Sequence, residues 1–363
     1  MTLRVMHVVG ARPNFMKIAP VMRAMTQQSG EFEQILLHTG QHYDLQMSRV
    51  FFDDLELPRP EINLEVGSGT HAWQTGQIMQ RFEPVYQEIQ PDLLVVVGDV
   101  NSTLACSLVA AKGGGRIAHI EAGLRSFDRR MPEEINRVLT DRLADLLFTS
   151  SAEANVNLRN EGIANEKIFF VGNVMIDTLQ RLLPKAASLF PHIRNRYGLH
   201  HYILVTLHRP SNVDDHETLL EIMAALEVIS LEIAVIFPVH PRTSYHLQEA
   251  GWSSKSASMM LLDPLGYLEF IALEAHADLI LTDSGGVQEE ATYLGIPCLT
   301  VRPNTERPVT IWMGTNELVG NTKEELVESM RRRLAEGIRP VSPPPFWDGH
   351  AAERIVDVIR KQM

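Results

Sequence analysis

The sequence of 363 residues contains only two cysteines, Cys106 and Cys298, and it has no long uninterrupted apolar segment. Two cysteines inside predicted elements suggest no disulfide framework, which is typical of proteins from a reducing cytoplasm. The N-terminus runs directly into a predicted strand, without the basic leader and apolar stretch of a signal peptide. We therefore expect a cytoplasmic protein with no membrane-spanning helix.

Metal-binding and dinucleotide-binding motifs are also missing. The sequence has no HExxH motif, no Cys/His spacing suited to zinc, and no GxGxxG after its first strand. Its formal net charge of −12 argues against a nucleic acid or an anionic membrane as the main partner. An anionic substrate would need a local cluster of cations. The sequence thus predicts no metal and no cofactor.

Short apolar runs alternate with amphipathic stretches along the whole chain, which is the pattern of an α/β protein with parallel sheets. The predicted strands are Val5–Val9, Gln34–His38, Leu93–Val97, Arg116–Ile120, Leu146–Thr149, Tyr202–Thr206, Ala234–Pro238, Met259–Leu262, Asp278–Thr282 and Cys298–Val301. The predicted helices include Lys17–Gln27, Asp44–Leu55, Thr75–Gln90, Glu133–Ala144, Val287–Leu294 and Lys323–Ala335.

The length favours two domains, and the α/β pattern restarts near Val171–Asn173. We expect two Rossmann-like domains, residues 1–171 and residues 172–345, with a long helix at Val174–Leu189 leading into the second. The SPPP run Ser342–Pro345 ends that pattern. Residues 346–363 hold an amphipathic helix, Ala351–Lys361, as a candidate for docking back on the first domain. Ligands bind at the carboxyl ends of such strands, so the two sheets are expected to face a cleft.

Three carboxylates follow elements of the first domain. Asp99 comes directly after the apolar run Leu93–Val97, Glu121 follows a strand, and Glu133 follows Pro132 at a predicted helix start. Such positions suit proton-transfer groups. The alternatives are an N-cap-like structural acid for Asp99 and a charged surface loop for the other two, with acids that favour the helix dipole.

Cations and histidines occupy comparable positions. Arg12 and Lys17 lie in a glycine-containing turn that leads into a helix, which is either an anion site or an ordinary turn with solvated cations. His208 lies just beyond a second-domain strand and is a candidate site residue. His240 occupies the equivalent place one strand later, but its flanking prolines already explain a rigid turn there.

The second domain also contains a candidate nucleotide site. Ser284, Gly285 and Gly286 open a helix directly after a strand, so that backbone N–H groups and a hydroxyl reach a phosphate. Glu290 lies within that helix, in range to accept hydrogen bonds from a ribose diol, and Arg307 follows later in the chain. Together these residues indicate a nucleoside-diphosphate site.

The ordered motifs resemble the non-hydrolysing UDP-N-acetylglucosamine 2-epimerases over nearly the whole chain. The matching segments are GARPNFMK at Gly10, TGQHYD at Thr39, GD at Gly98, HIEAGLRSFDRRMPEEINR at His119, VGN at Val171, LHR at Leu207, PVHPRT at Pro238, TDSGGVQEEA at Thr282 and NTERP at Asn304. The common GTRPEAIK of the family stands here as GARPNFMK, with Asn14 in place of the glutamate.

The resemblance implies a fold similar to B-type glycosyltransferases and a homodimer that acts on a UDP-sugar. It implies catalytic roles for Asp99, Glu121, Glu133 and His208, with Arg12 and Lys17 near the reacting centre. It also implies contacts with the UDP moiety from Arg12, Phe270, Ser284, Gly285, Gly286, Glu290 and Arg307. The expected reaction is epimerisation at C2 by elimination and re-addition of UDP.

Other activities fit the same sequence. A hydrolysing relative would use the same elimination and release N-acetylmannosamine. A second alternative is a 2-epimerase for a related UDP-diacetamido sugar, with which the altered GARPNFMK segment is compatible. A glycosyltransferase of the same fold would have little use for three carboxylates, and a nucleotide-sugar binding module would not need intact acids.

Overall fold

The computed structural model describes residues 2–41, 54–338 and 340–363. The chain divides into two compact units. The first unit contains the residues up to Thr178 together with Pro345–Met363, and the second unit contains Leu179–Pro344. The predicted helix Asp44–Leu55 lies outside the described residues, except for its last two positions.

The first unit is built on a parallel sheet of seven strands in the order β3-β2-β1-β4-β5-β6-β7. These strands are β1 Leu3–Val9, β2 Phe32–His38, β3 Ile62–Asn63, β4 Leu93–Val97, β5 Arg116–Ala122, β6 Leu146–Thr149 and β7 Ile168–Phe170. The central strand β4 is LLVVV and is buried at every position, as expected when helices cover both faces of a parallel sheet. Its register pairs Val97 with Ile120 of β5, so the segments that follow these two strands lie side by side.

The helices numbered before the second sheet are α1 Arg12–Thr26, α2 His71–Ile89, α3 Asn101–Lys112, α4 Pro132–Leu143, α5 Ala152–Asn160 and α6 Val174–Tyr197. The last of them contains the boundary between the two units, which falls after Thr178. It also continues beyond the predicted end at Leu189, because it accommodates both Pro184 and Pro191 in its interior. The predicted helix contained Pro184 but ended before Pro191, since a proline lacks the N–H donor that a helix interior uses.

The second unit is built on a parallel sheet of six strands in the order β10-β9-β8-β11-β12-β13. These strands are β8 Tyr202–Thr206, β9 Ala234–Pro238, β10 Met259–Leu262, β11 Leu279–Thr282, β12 Cys298–Val301 and β13 Asn316–Val319. The helices are α7 Pro210–Val213, α8 His216–Ile229, α9 Pro241–Glu249, α10 Tyr267–Glu274, α11 Gly285–Leu294, α12 Val309–Trp312 and α13 Lys323–Glu336. Each unit has its own apolar core, around Phe82 and Val96 in the first and around Phe237 and Leu281 in the second.

The final helix, α14 Ala351–Gln362, belongs to the first unit and packs against α1. Its first turn is held by Asp177, whose carboxylate accepts the backbone N–H groups of Ala351 (3.2 Å) and Ala352 (2.7 Å). Burial raises the pKa of Asp177 to about 6, although these two hydrogen bonds act in the opposite direction. At the other end of α14, Arg360 pairs with Glu31.

Within the described ranges, no helix combines the length and the apolar character needed to cross a membrane.

Candidate functional site

The site in the first unit begins with a buried ion pair between Lys17 and Glu121. Lys17 lies in the second turn of α1, and Glu121 lies near the end of β5. Gly98, which follows β4, has φ +70°, and a Cβ placed there would lie 3.3 Å from both Lys17 Nζ and Glu121 Oε2. The loop after β4 therefore passes directly over this ion pair, and a glycine provides both the left-handed conformation and the space.

Glu121 has an unusual backbone. Its φ is +71°, and the pairing of β5 with β6 is interrupted between Ile120 and Ala122. A left-handed non-glycine residue costs about 1–3 kcal/mol, and such residues are concentrated at functional sites. The bulge interrupts the side-chain alternation of the strand, and the Glu121 carboxylate lies beside Lys17 and the Gly98 turn.

Asp99, the next residue after this turn, is held by a buried arginine. The Nη2 and Nε atoms of Arg137 lie 2.6 Å and 3.0 Å from Asp99 Oδ2, and Arg137 Nη1 lies 2.7 Å from Glu134. The side chain of Asp99 is 23% exposed, so solvent or a ligand can reach it. Asn136 adds a hydrogen bond of 2.9 Å to the Asp99 carbonyl. Helix α4 thus positions both the backbone and the carboxylate of Asp99.

The two glutamates at the start of α4 differ in environment. Glu134 is buried and accepts hydrogen bonds from the backbone N–H groups of Ser126 (2.9 Å) and Phe127 (3.0 Å), so it shapes the loop that precedes α4. Glu133 is partly buried, and it makes no hydrogen bond or ion pair to any other described residue. Of the two glutamates, Glu133 is thus the one that is partly exposed, whereas Glu134 is buried.

Asn14 occupies the position at which the sequence departs from the common family motif. Its Oδ1 accepts the backbone N–H groups of Gly10 (3.1 Å) and Ala11 (3.0 Å), and its Nδ2 donates to the Val97 carbonyl at 3.0 Å. Asn14, in the first turn of α1, therefore fixes the turn that precedes the helix and ties it to the end of β4. The Arg12 side chain and residues His42–Asp44 of the TGQHYD segment lie outside the described part of the structure.

In the second unit, His208 is organised by a buried aspartate, Asp283. The Nδ1 atom of His208 lies 2.9 Å from Asp283 Oδ1, and the carboxylate also accepts the backbone N–H groups of His208 and Arg209. Burial alone would raise the pKa of Asp283, but the hydrogen bonds and charge of its partners hold that pKa below its ordinary value. His240 is placed differently: its Nδ1 accepts the backbone N–H of Arg242 and caps α9.

An arginine cluster surrounds buried glutamates beside the start of α11. Arg307 forms an ion pair with Glu306, and its Nε lies 3.1 Å from Glu289. Arg302 lies 2.8 Å from the other Glu306 oxygen, and Arg209 lies 3.7 Å from Glu306. The three guanidinium groups carry one positive charge more than the two carboxylates.

The first turn of α11 lies against this cluster. A Cβ at Gly285 would lie 2.4 Å from Arg307 Nη1, so only glycine allows the arginine to approach the helix N-terminus so closely. Ser284 is the N-terminal cap residue of α11, and both Ser284 and Gly286 are partly exposed. The Arg307 guanidinium and the backbone N–H groups at the start of α11 therefore lie next to each other, an arrangement that suits a phosphate.

Glu290 lies further along α11 and is hydrogen-bonded by the hydroxyl of Tyr267 in α10. Burial and the neighbouring Glu289 raise the pKa of Glu290 to about 7, against the opposing effect of the Tyr267 bond. Glu274, also fully buried, has its pKa raised for the same reason and by the charge of Glu290. Phe270, on the same helix as Tyr267, is partly buried.

The candidate residues thus form two groups, one in each unit. The first group brings together Lys17, Asp99 and Glu121, with Glu133 on α4; the second contains His208, Phe270, Ser284, Gly285, Gly286, Glu290 and Arg307. The residues that the sequence did not single out as site residues are the supporting partners Asn14, Arg137 and Asp283. Asp283 lies within a segment that the sequence identified, and its position directly after a strand was the available signal.

Comparisons with known proteins identify the family of the chain. Residues 24–360 match the family model described as UDP-N-acetylglucosamine 2-epimerase. The chain is 45% identical over 362 residues to the UDP-N-acetylglucosamine 2-epimerase of Methanocaldococcus jannaschii, covering 97% of each protein. It is 41% identical to the UDP-2,3-diacetamido-2,3-dideoxy-D-glucuronate 2-epimerase of Pseudomonas aeruginosa, covering 99% of this chain and all of that one.

The structural comparison covers the same length. A crystal structure of the M. jannaschii UDP-GlcNAc 2-epimerase in complex with UDP-GlcNAc and UDP superposes with a TM-score of 0.92 at 43% identity, over 99% of this chain and 100% of that one. The Neisseria meningitidis UDP-GlcNAc 2-epimerase bound to UDP-GlcNAc gives a TM-score of 0.89 at 28% identity, over 99% of this chain and 100% of that one. The chain belongs to the UDP-N-acetylglucosamine 2-epimerase family.

Proposed function

We propose that this protein is a non-hydrolysing 2-epimerase that interconverts UDP-N-acetylglucosamine and UDP-N-acetylmannosamine. The observation that carries the proposal is the set of three carboxylates, Asp99, Glu121 and Glu133, at the carboxyl ends of two neighbouring strands and at a helix start. A reaction that removes a proton from one face of a carbon and returns one to the other face needs such a set.

The C2 proton of the substrate is not adjacent to a carbonyl group, so its direct removal is too costly. In the proposed first step a carboxylate takes the C2 proton, a C1=C2 double bond forms, and the C1–O bond breaks with its electron pair leaving on UDP. In the second step C2 is protonated on the opposite face and the UDP oxygen re-forms the bond to C1. Atoms and charge balance without any oxidant, metal or added nucleophile.

The two groups of residues divide this chemistry. Asp99, Glu121 and Glu133 supply the proton-transfer groups, and Lys17, which pairs with Glu121, supplies positive charge beside them. The family resemblance adds Arg12 as a second cation. Arg307 and the first turn of α11, including Ser284 and Gly286, stabilise the diphosphate as it leaves.

The remaining residues of the second group bind the nucleoside and exchange a proton with the UDP oxygen that leaves C1. His208, oriented by Asp283, exchanges a proton with the leaving oxygen. Glu290 accepts hydrogen bonds from the ribose diol, and Phe270 contacts the uracil ring.

The proposal is tested by incubating the protein with UDP-GlcNAc in D2O and following the sugars by NMR. We expect UDP-ManNAc with deuterium at C2 and little free sugar. N-acetylmannosamine as the main product would assign the chain to the hydrolysing class. Turnover of a UDP-diacetamido uronate without turnover of UDP-GlcNAc would assign it the activity of the P. aeruginosa relative.

A site variant separates catalysis from binding in the same assay. Asp99→Asn should bind UDP with unchanged affinity and lose most of the C2 exchange, because UDP is proposed to bind to residues of the second unit. Unchanged exchange in this variant would remove Asp99 from the proton-transfer set.

The proposed enzyme works as a homodimer in the cytoplasm, where it supplies nucleotide sugars for cell-surface polysaccharides. Size-exclusion chromatography with light scattering should give twice the mass of one chain. A monomeric mass for the active protein would contradict the dimer.

A further inference from the structure

A single buried carboxylate, Asp141 of α4, holds the chain on both sides of Glu121. Its Oδ1 lies 2.6 Å from His119 Nδ1, and its Oδ2 accepts the Gly123 backbone N–H at 3.1 Å. Arg125 Nη2 lies 2.7 Å from the same Oδ2. His119, Gly123 and Arg125, which lie on both sides of Glu121 in the chain, therefore all contact the Asp141 carboxylate. The Asp141 side chain is fully buried.

His119 extends this connection to the turn before Asp99. Its Nε2 lies 2.8 Å from the Gly98 carbonyl oxygen, and its ring is fully buried. A carbonyl oxygen only accepts hydrogen bonds, and so does an ionised carboxylate. Burial alone would raise the pKa of Asp141, but His119 and Arg125 hold it below its ordinary value. The Arg125 guanidinium beside Oδ2 fits an ionised carboxylate, so both ring nitrogens of His119 face atoms that only accept hydrogen bonds. This is the arrangement of a ring with a hydrogen on each nitrogen.

This cluster holds two positions of the backbone that have left-handed conformations. Glu121 has φ +71° and Gly98 has φ +70°, and these residues carry or precede the two acids of the site. A glutamate released from such a conformation relaxes toward the extended region, which would move its carboxylate away from Lys17. The attachments at His119 and Gly123 oppose that relaxation at the bulge itself.

We propose that Asp141 and His119 are positioning residues, and that the His119 imidazolium joins the Gly98–Asp99 turn to the Glu121 bulge so that both acids keep their reactive geometry. The inference rests on the proposed function for the roles of Asp99 and Glu121. Neither positioning residue is expected to touch the substrate, because both are completely buried.

The test compares Asp141→Asn with a matched control, Asp145→Asn. Asp145 also accepts a backbone N–H from β5, that of Ile117 at 3.1 Å, but it does so near the amino end of the strand. We expect Asp141→Asn to lower kcat about 100-fold, the loss that follows a misplacement of about 1 Å, with KM and UDP affinity within about twofold of the wild type. The control should keep its kcat. A folded Asp141→Asn protein with wild-type kcat would overturn the inference.

A spectroscopic measurement distinguishes positioning from general stability. In ¹⁵N-labelled protein the His119 ring, assigned from its absence in His119→Gln, should show hydrogens on both nitrogens in the wild type and on only one in Asp141→Asn. Hydrogen exchange at residues 119–125 should accelerate in Asp141→Asn and not in Asp145→Asn. A neutral His119 ring in the wild type would overturn the inference.

Two further outcomes are an Asp141→Asn protein that does not fold and a wild type that is inactive on UDP-GlcNAc. If Asp141→Asn fails to fold, His119→Gln takes its place: a similar loss of kcat with normal UDP affinity supports the inference, and normal kcat overturns it. If the wild type does not exchange C2 of UDP-GlcNAc, the proposed function fails. The positioning cluster is then judged on the His119 ring and on hydrogen exchange alone.

Discussion

The Nδ1 atom of His208 lies 2.9 Å from Oδ1 of Asp283, and the same carboxylate accepts the backbone N–H groups of His208 and Arg209. Asp283 is fully buried, whereas the His208 side chain is 41% exposed. The aspartate therefore orients the imidazole and accepts a hydrogen from Nδ1, which leaves Nε2 for the proton exchange that we propose. This is the arrangement of a base and its orienting acid in many hydrolytic enzymes.

We expect Asp283→Asn to lower kcat at least about 100-fold, because it removes the charge that fixes the His208 tautomer and stabilises the protonated ring. The side-chain shape is conserved, so UDP affinity should fall much less than kcat. Steady-state kinetics with UDP-GlcNAc and calorimetric titration with UDP measure the two quantities.

The control for this variant is Asp278→Asn. Asp278 accepts the Tyr202 backbone N–H at 2.8 Å at the opposite end of the strands β8 and β11, and its loss should leave kcat unchanged. The double variant His208→Gln/Asp283→Asn should be no slower than the worse single variant, since the two residues act together. Fully additive losses would show that Asp283 acts independently of His208.

Arg307→Met should weaken UDP binding about tenfold to 100-fold, because a hydrogen bond to a charged group contributes about 1.5–3 kcal/mol. The variant also leaves Glu289 and Glu306 without one of their partners beside the proposed phosphate site. Arg332→Met is the control, since Arg332 is about half exposed and pairs with Glu317 on the surface. Equal UDP affinities for both variants, measured by calorimetry, would remove Arg307 from the phosphate site.

UDP affinity should rise with pH through about 7, because Glu290 must be ionised to accept both ribose hydroxyls and its pKa is raised to about 7. The Tyr267 bond lowers this pKa, so Tyr267→Phe should move the transition to higher pH. Calorimetric titrations with UDP from about pH 6 to about pH 8 measure this pH dependence of the affinity. Glu290→Gln should give weak binding without the transition, and a pH-independent wild type would contradict the role of Glu290.

The same shift has a consequence for stability in the unliganded protein. The folded pKa of Glu290 lies above its ordinary value, so between about 4.5 and about 7 the folded state holds a proton that the unfolded state has lost. The contribution of Glu290 to the free energy of unfolding therefore decreases as pH rises through this range. Denaturant titrations at several pH values should show that the free energy of unfolding depends on pH differently in the wild type and in Glu290→Gln.

Asn14→Asp should lower the free energy of unfolding by about 1–3 kcal/mol, because it replaces the Nδ2 donor with an oxygen that faces the Val97 carbonyl. The two bonds to the Gly10 and Ala11 N–H groups are kept, so the loss isolates the donor. Asn160→Asp, at the exposed end of α5, is the control and should unfold as the wild type does. Denaturant titrations that show equal stability for both variants would contradict this account of Asn14.

The sequence predicted the alternation of strands and helices, because apolar periodicity is a local feature. It also placed the candidate residues at the ends of strands and starts of helices, where the structure has them. It missed β3, β7 and β13, which have two to four residues and too little length to show a period. The ion pair of Lys17 with Glu121 joins residues 104 positions apart, and the partnership of His208 with Asp283 joins residues 75 positions apart. Such pairs form only when the sheet brings distant segments together. They therefore produce no short, recognisable spacing in the sequence.

The return of α14 to the first unit makes that unit discontinuous in the chain, while Leu179–Pro344 form the second unit without interruption. On the ribosome, the second unit is therefore fully synthesised before the helix Ala351–Gln362 exists. The apolar surface of α1 that α14 contacts stays uncovered until that helix has been synthesised. A nascent or truncated chain that stops before Ala351 exposes this surface to chaperones and proteases, even though every candidate site residue has already been made.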